Sequence, residues 1–271
     1  MPTFSIITVC FNEAAHIQKT LDSILNQTFT DYELIVVDGG STDGTKEMIL
    51  RYDSRISWWC SEKDRGTYNA MNKGVTHATG DYVIFMNGGD CFYDSQVLEQ
   101  VSRTATADII EGKAVAHGST TPIHAYDPDL AHKLLTDGIC HQAVFIRRQL
   151  LQQYPYDERY KIVADWKFWL LTLLRDRCSY QLTDIIVASI DTNGITYSQF
   201  QQNLRERDEV LAELQTDAVL RPMTGILRDY NYMTHNTLVQ YATYLDKHSP
   251  KGYQLVRKIA KRVVKWSRRK T

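Results

Sequence analysis

The chain has no long hydrophobic run, no paired-cysteine motif, no internal repeat and no low-complexity tract. Each absence closes off a class of protein. No apolar stretch in the 271 residues approaches the length that spans a bilayer. The first apolar run, Phe4 to Phe11, is too short for a signal peptide and has no basic region before it, so none is expected. Five cysteines (Cys10, Cys60, Cys91, Cys140 and Cys178) are odd in number, far apart and never spaced C-x-x-C. This spacing argues against a structural zinc site, and the thiols are expected to be reduced in a cytoplasm-like compartment. What remains is an ordinary globular composition, 43% hydrophobic, enough for one large domain or two small ones with a substantial core.

Apolar runs and helical spacings alternate along the first third of the chain. Ser5 to Cys10 reads as a buried strand, left through the turn Phe11-Asn12-Glu13. Ile17, Leu21, Ile24 and Leu25 then recur at helical spacing within Ala14 to Asn26. Tyr32 to Val37 is the second strand, and Met48, Ile49 and Tyr52 mark the next helix. Ile56 to Cys60 is a third strand, and Thr67 to Ala78 a third helix with Tyr68, Met71 and Val75 inward. Tyr82 to Phe85 is the fourth strand, ending in Asn87-Gly88-Gly89-Asp90. Four strands separated by helices imply parallel pairing with right-handed crossovers, so the fold class is α/β, with a Rossmann-like sheet.

Such a sheet often binds a dinucleotide, which requires G-x-G-x-x-G where the first strand turns into its helix. Here that turn is Cys10-Phe11-Asn12-Glu13-Ala14-Ala15, with no glycine, and no phosphate-cradling P-loop occurs. A pyrophosphate would have to be held another way. In open α/β sheets ligands sit outside the carboxyl ends of the strands, and the oxygens of Asn87 and Asp90 suit Mg2+ or Mn2+ beside phosphates. The plain alternative is a tight turn, for which Asn, Gly and Asp are the usual residues.

Four stretches in order settle the weighting: Ser5 to Glu13, Val36 to Thr45, Glu62 to Gly74 (containing Lys63-Asp64-Arg65-Gly66), and Asn87 to Asp90. Together they resemble successive motifs of the family 2 glycosyltransferases, over roughly residues 4 to 200. The resemblance implies a GT-A fold with a mostly parallel sheet, a nucleotide-diphosphate sugar donor, and often a part in building bacterial polysaccharides. It implies a donor site formed by Thr8, Phe11, Asn12, Glu13, Asp38, Asp64, Gly66, Asn87 and Gly88, with Asp38 and Asp64 facing base or ribose. Asp90 would be the direct metal ligand for Mn2+ or Mg2+, helped weakly by Asn87, since relatives usually carry two or three acids here.

Each role has a plain alternative. Asp38 would serve as a helix N-cap, but Ser41, Thr42 and Asp43 are available for that, and capping is expected of Ser41 or Thr42. Phe11 would equally serve the core. Arg65 and Lys73 would face the diphosphate or be solvated cations. His141 and Gln142, where Cys140 to Arg148 reads as a strand after a turn, resemble an H-Q pair near the acceptor pocket, although a histidine at a strand entry is commonly just hydrogen-bonded structure. Asp165 opens a helix with Phe168, Trp169 and Leu173 inward; an acid there caps the helix, and in the family it is the general base. Trp166 would be a sugar-stacking wall on the acceptor side. Gly194-Ile195-Thr196 resembles a family loop near acceptor or diphosphate.

Expected domains are 1–197, catalytic (1–90 for the nucleotide sugar, 91–197 for the acceptor), 198–249, helices read as packing without chemistry, and 250–271. The net charge of −1 hides a contrast. The last stretch carries nine Lys or Arg and no acid, leaving 22 basic against 32 acidic groups elsewhere, about −10 net. On a helical wheel Tyr253, Leu255, Val256, Ile259, Ala260, Val263, Val264 and Trp266 share one half-turn, and Lys251, Arg257, Lys258, Lys261, Arg262 and Lys265 the other. Such a helix would hold the protein on an anionic inner leaflet, each nearby cation contributing about 1 kcal/mol. The alternative is a helix packed on the domain; nucleic acid is not expected, as no recognition fold lies behind the patch.

The reading is an inverting, metal-dependent transferase, peripheral on the inner membrane face, acting on a glycan or lipid-linked acceptor. A sugar nucleotidyltransferase would need a glycine-rich basic loop after the first strand, which is missing. A non-catalytic nucleotide-sugar-binding scaffold would have no need of Asp38, Asp64, Asp90 and Asp165 together.

Overall fold

A computed structural model describes residues 2–123, 130, 133–134, 139–191 and 199–235, with 200 and 229–235 in backbone only. The chain divides into two compact units, Met1–Val210 and Leu211–Thr271.

Four parallel strands form one side of an eight-stranded sheet in the first unit: β1 (Phe4–Cys10), β2 (Tyr32–Asp38), β3 (Trp58–Ser61) and β4 (Tyr82–Phe85). Helices α1 (Ile17–Leu25), α2 (Thr45–Leu50) and α3 (Thr67–His77) connect them. β1 pairs with β2 along its whole length, from Phe4 opposite Tyr32 to Cys10 opposite Asp38, and with β4 on its other edge. Being flanked on both edges and covered on both faces, it is buried at all seven positions, which is why it reads as a largely apolar run, interrupted only by Ser5 and Thr8.

The remaining strands are β5 (Cys91–Phe92), β6 (Ile109–Ala116), β7 (Val144–Arg147) and β8 (Tyr180–Ile190), with α4 (Val97–Ser102), α5 (Arg148–Gln153) and α6 (Ala164–Trp169) between them. The spatial order is β3-β2-β1-β4-β7-β6-β8-β5. Pairing is parallel from β3 to β4 and between β6 and β8; β7 runs antiparallel to β4 and β6, and β5 to β8. The sheet is therefore the expected α/β, mostly parallel but mixed at its far side. The chain winds from β1 outward to β3 and then crosses back to β4, so the strand order reverses beside β1 and opens a crevice at the carboxyl ends of β1 and β4.

α6 continues as a π-helical run, Leu170–Arg175. It is fixed by an aromatic ladder: Phe85 of β4 lies 5.6 Å from Tyr156, Tyr156 5.6 Å from Phe168, and Phe168 5.0 Å from Trp169. Each such pair contributes about 0.5–1.5 kcal/mol beyond burial, so the start of α6 is held near the end of β4. Helix α7 (Phe200–Leu214) contains the division between the units, and α8 (Arg221–His235) belongs to the second. In that second unit Asp217 Oδ1 accepts from the amides of Val219 and Leu220, at 2.8 and 3.0 Å, in the turn before α8.

Candidate active site

The loops leaving β1 and β2 are fastened to each other. The amide of Asn12 donates to Ser41 Oγ at 2.7 Å, that of Glu13 to Thr45 Oγ1 at 2.8 Å, and that of Ala14 to Asp43 Oδ2 at 3.0 Å. Asn12 Oδ1 in turn accepts from the Thr42 amide at 3.0 Å. Asn12 takes a left-handed backbone, φ 55°, which an Asn tolerates better than most residues. The amides that a glycine loop would aim at a phosphate are consumed within the fold. Helix α2 starts later than expected, at Thr45, and neither Ser41 nor Thr42 caps it. Asp43 Oδ1 instead takes the Thr45 amide at 3.1 Å, while Ser41 Oγ accepts from the Asn12 amide.

Asp38 is fully buried at the end of β2. Its carboxylate accepts from Ser61 Oγ at 2.6 Å, from the Ser41 amide at 3.1 Å, and from Ser41 Oγ. Asp64 lies closer to the surface, with Oδ1 on the Gly66 amide at 2.8 Å. A Cβ on Gly39 would stand 2.6 Å from Asp64 Oδ2 and 3.3 Å from the Phe11 ring, so a residue without a side chain is needed for those two to meet over β2. Phe11 is 61% exposed, which sets aside the core alternative and leaves an aromatic face at the crevice. Gly88 makes the same allowance on the other side: a Cβ there would be 3.0 Å from both Cys10 Cβ and Glu13 Cγ.

Beyond β4 the two remaining acids are gripped by neighbouring residues. His141–Ala143 is a 3-10 turn entering β7. His141 Nδ1 is 3.2 Å from Asp165 Oδ2, and its Nε2 is 3.1 Å from Asn87 Nδ2. With the Asn87 amide nitrogen facing Nε2, the ring proton sits on Nδ1 and is donated to Asp165. Gln142 Nε2 donates to Asp90 Oδ2 at 3.1 Å, and Asp90 Oδ1 accepts from the Asp191 amide at 3.1 Å. Asp165 Oδ1 also accepts from Tyr68 Oη and from the Trp166 amide, both at 2.8 Å. Asp165 lies in the first turn of α6, one residue past its start, and does not cap it.

Asp90 is buried, and burial pushes its carboxyl above the usual carboxylate range, with Gln142 and the Asp191 amide opposing. Among the described residues no cluster of three His, Cys, Asp or Glu side chains is disposed to hold a metal. The donor set fits an ion that takes one carboxylate from the protein and further oxygens from a ligand, since each Asp90 oxygen has two lone pairs and a single hydrogen bond.

Other expected site residues lie elsewhere. Thr8 is fully buried within β1, its hydroxyl unpartnered, so it does not line an open pocket. Trp166 is 4% exposed, donates Nε1 to the Leu134 carbonyl at 2.7 Å, and has the Arg207 guanidinium 4.5 Å above its ring. At that burial the ring offers no open face for a sugar to stack on. Arg65 and Lys73 are engaged in ion pairs, Arg65 Nη2 with Glu158 and Lys73 with Glu62, both at 2.6 Å. Residues 194–196 and 250–271 lie outside the described residues. Two contributors carry no local sequence signal. Tyr68 reads only as an inward helix position, and His117, whose Nε2 donates to the Gly89 carbonyl at 2.9 Å, is 28 residues away from it.

Residues 5–124 match the family described as Glycosyl transferase family 2. A PGL/p-HBAD biosynthesis glycosyltransferase of Mycobacterium bovis (strain BCG / Pasteur 1173P2) is 34% identical over 201 residues, 71% of this chain and 78% of that protein. Among solved structures, S. aureus TarS 1-349 in complex with UDP-GlcNAc superposes with a TM-score of 0.69 at 16% identity, covering 90% of this chain and 76% of that one. Mannosyltransferase PcManGT from Pyrobaculum calidifontis, in complex with GDP-Man and Mn2+, gives 0.65 at 17%, covering 96% and 80%. At such identities the structures speak for the GT-A fold. The chain therefore belongs to glycosyl transferase family 2 and is a glycosyltransferase.

Proposed function

We propose that the chain performs a single, inverting displacement, moving a sugar from a UDP-linked donor to a hydroxyl of a glycan or lipid-linked acceptor in bacterial surface polysaccharide synthesis. The observation that carries this reading is the pair of acids beyond β4, Asp90 and Asp165, each held by one of two consecutive residues, Gln142 and His141. Phe11, Asp64 and the edge of β2 form the place for the base and ribose; Asp38, fully buried, acts by holding the loop through Ser41. Asp90 would hold Mn2+ or Mg2+, which when bound supplies charge neutralisation on the diphosphate leaving group.

Asp165 is the general base. Tyr68 and the Trp166 amide fix Oδ1, while Oδ2, bound to His141 alone, keeps a lone pair for the acceptor proton. As the acceptor oxygen bonds to the anomeric carbon, its proton passes to Asp165 and the bond to the diphosphate breaks with its electron pair. No enzyme nucleophile is needed, and the anomeric configuration inverts. Asp165→Asn is expected to lower transfer by about 10²–10⁴-fold while UDP affinity stays within about twofold. Transfer at near wild-type rate in that variant, or a product of retained configuration by NMR, would sink the reading.

Residues 250–271 belong to the same proposal as an anchor on the inner leaflet, which a lipid-linked acceptor would demand. Deletion after Ser249 should move the protein from membrane to soluble fractions, and equal fractionation counts against the anchor.

A further inference from the structure

Helix α6, which bears Asp165, has no side-chain cap of its own: its N-cap residue is Val163. The amides before it converge on one carboxylate from far along the chain. Glu206 of α7 accepts from Lys161 N at 3.1 Å to Oε1 and 3.0 Å to Oε2, from Ile162 N at 2.9 Å and from Val163 N at 3.3 Å, the last two to Oε2. Gln202 Nε2 donates to its Oε1 at 2.8 Å, and Glu206 is only 7% exposed. Three successive amides around a buried anion form a nest, and hydrogen bonds to a charged acceptor are roughly twice as strong as neutral ones.

The same short segment also meets the Tyr68 hydroxyl. The Ile162 carbonyl lies 2.8 Å from Tyr68 Oη, the hydroxyl that also reaches Asp165 Oδ1. Asp165 thus sits two residues past a stretch whose amides are fixed by Glu206 and whose carbonyl faces Tyr68. The far end of that tie is a helix whose sequence reads as packing alone.

We propose that Glu206 is a positioning residue: by binding the amides of Lys161, Ile162 and Val163 it sets where the Asp165 carboxylate stands in the crevice. This rests on the reading of Asp165 as the base. A misplaced base loses rate while the donor site, built on β1, β2 and β4, is untouched.

The test is steady-state transfer kinetics on the full chain, with UDP titration in the presence of Mn2+ as an independent readout, for Glu206→Ala, Glu206→Gln and Asp165→Asn. Glu206→Ala is expected to lower kcat tenfold or more with UDP affinity within twofold of wild type. Glu206→Gln keeps an oxygen for the Ile162 and Val163 amides, and the Gln202 amide can turn over to accept its nitrogen. It is expected to fold even where the alanine variant does not, and to recover part of kcat. Wild-type kcat in either folded variant overturns the proposal, as does a fall in UDP affinity that matches the fall in kcat. If Asp165→Asn transfers normally, it is the base assignment that fails; inactive Asp165→Asn beside fully active Glu206 variants sinks Glu206 alone.

Discussion

The two sides of the crevice are built by different means. On the donor side, β1 and β2 end in loops that fasten to one another through short polar residues, Asn12, Ser41, Asp43 and Thr45, all within two neighbouring βα turns. On the acceptor side, the acids are held mainly by side chains of other elements: Asp90 by Gln142, Asp165 by His141 and Tyr68, and the segment before Asp165 by Glu206. Local fastening makes a rigid ledge with little chemistry in it. Remote fastening lets a few carboxylates be aimed with accuracy, at the cost of depending on the whole unit being folded.

That contrast is open to attack. Among the residues that hold the two acids, the largest effect is expected at His141. His141→Ala removes a hydrogen bond to an ionised carboxylate, about 1.5–3 kcal/mol, so kcat should fall by roughly 10- to 100-fold with little change in UDP affinity. A change in affinity alone would erase the distinction between the sides. Next is Gly39→Ala, whose methyl would press on Asp64 and Phe11. UDP binding should weaken by roughly tenfold, about 1.4 kcal/mol, measured by calorimetry, with kcat at saturating donor near wild type. An unaltered Kd would remove Asp64 and Phe11 from the donor site.

The smallest effect probes the structural ties alone. Asp157 is held well below the usual carboxylate range, first by Arg159 and then by Lys167. Its folded value being depressed, its contribution is complete above the unfolded value of about 4 and is lost as pH falls through the folded one. Asp157→Asn should therefore lower Tm at neutral pH by about 2–4 °C, corresponding to about 1 kcal/mol for a partly exposed pair, and the gap should close below about pH 4. A gap that persists in acid would mean that the substitution disturbs packing instead of charge.

The same contrast explains what could be read from the chain. Strands β1, β2 and β4 were legible because strands largely buried on both faces are mostly apolar, as β1 is apart from Ser5 and Thr8. β8 was not: Tyr180–Ile190 mixes Gln181, Thr183 and Asp184 into its apolar positions, because much of it is only half-buried and its outer partner, β5, is two residues long. In the site, Asp64, Asp90 and Asp165 stand at strand or helix ends that periodicity can locate. Trp166 misled, since an aromatic beside an acid looks the same whether its face meets a sugar or, as here, Arg207. Glu206 was invisible for a simpler reason: it lies 41 residues beyond Asp165, and a helical glutamate carries no mark of what it will meet.

One feature of the acceptor side reaches past this molecule. His141 and Gln142 are consecutive, so the groups that steady Asp165 and Asp90 hang from alpha carbons about 3.8 Å apart, joined by one planar peptide. That peptide is a ruler of fixed length. On the proposed roles of Asp90 and Asp165, the two carboxylates are steadied from one short turn, so a change in that turn reaches both. Efforts to retarget such an enzyme to a bulkier sugar or a different acceptor would then do best to leave this turn alone and vary the loops around it.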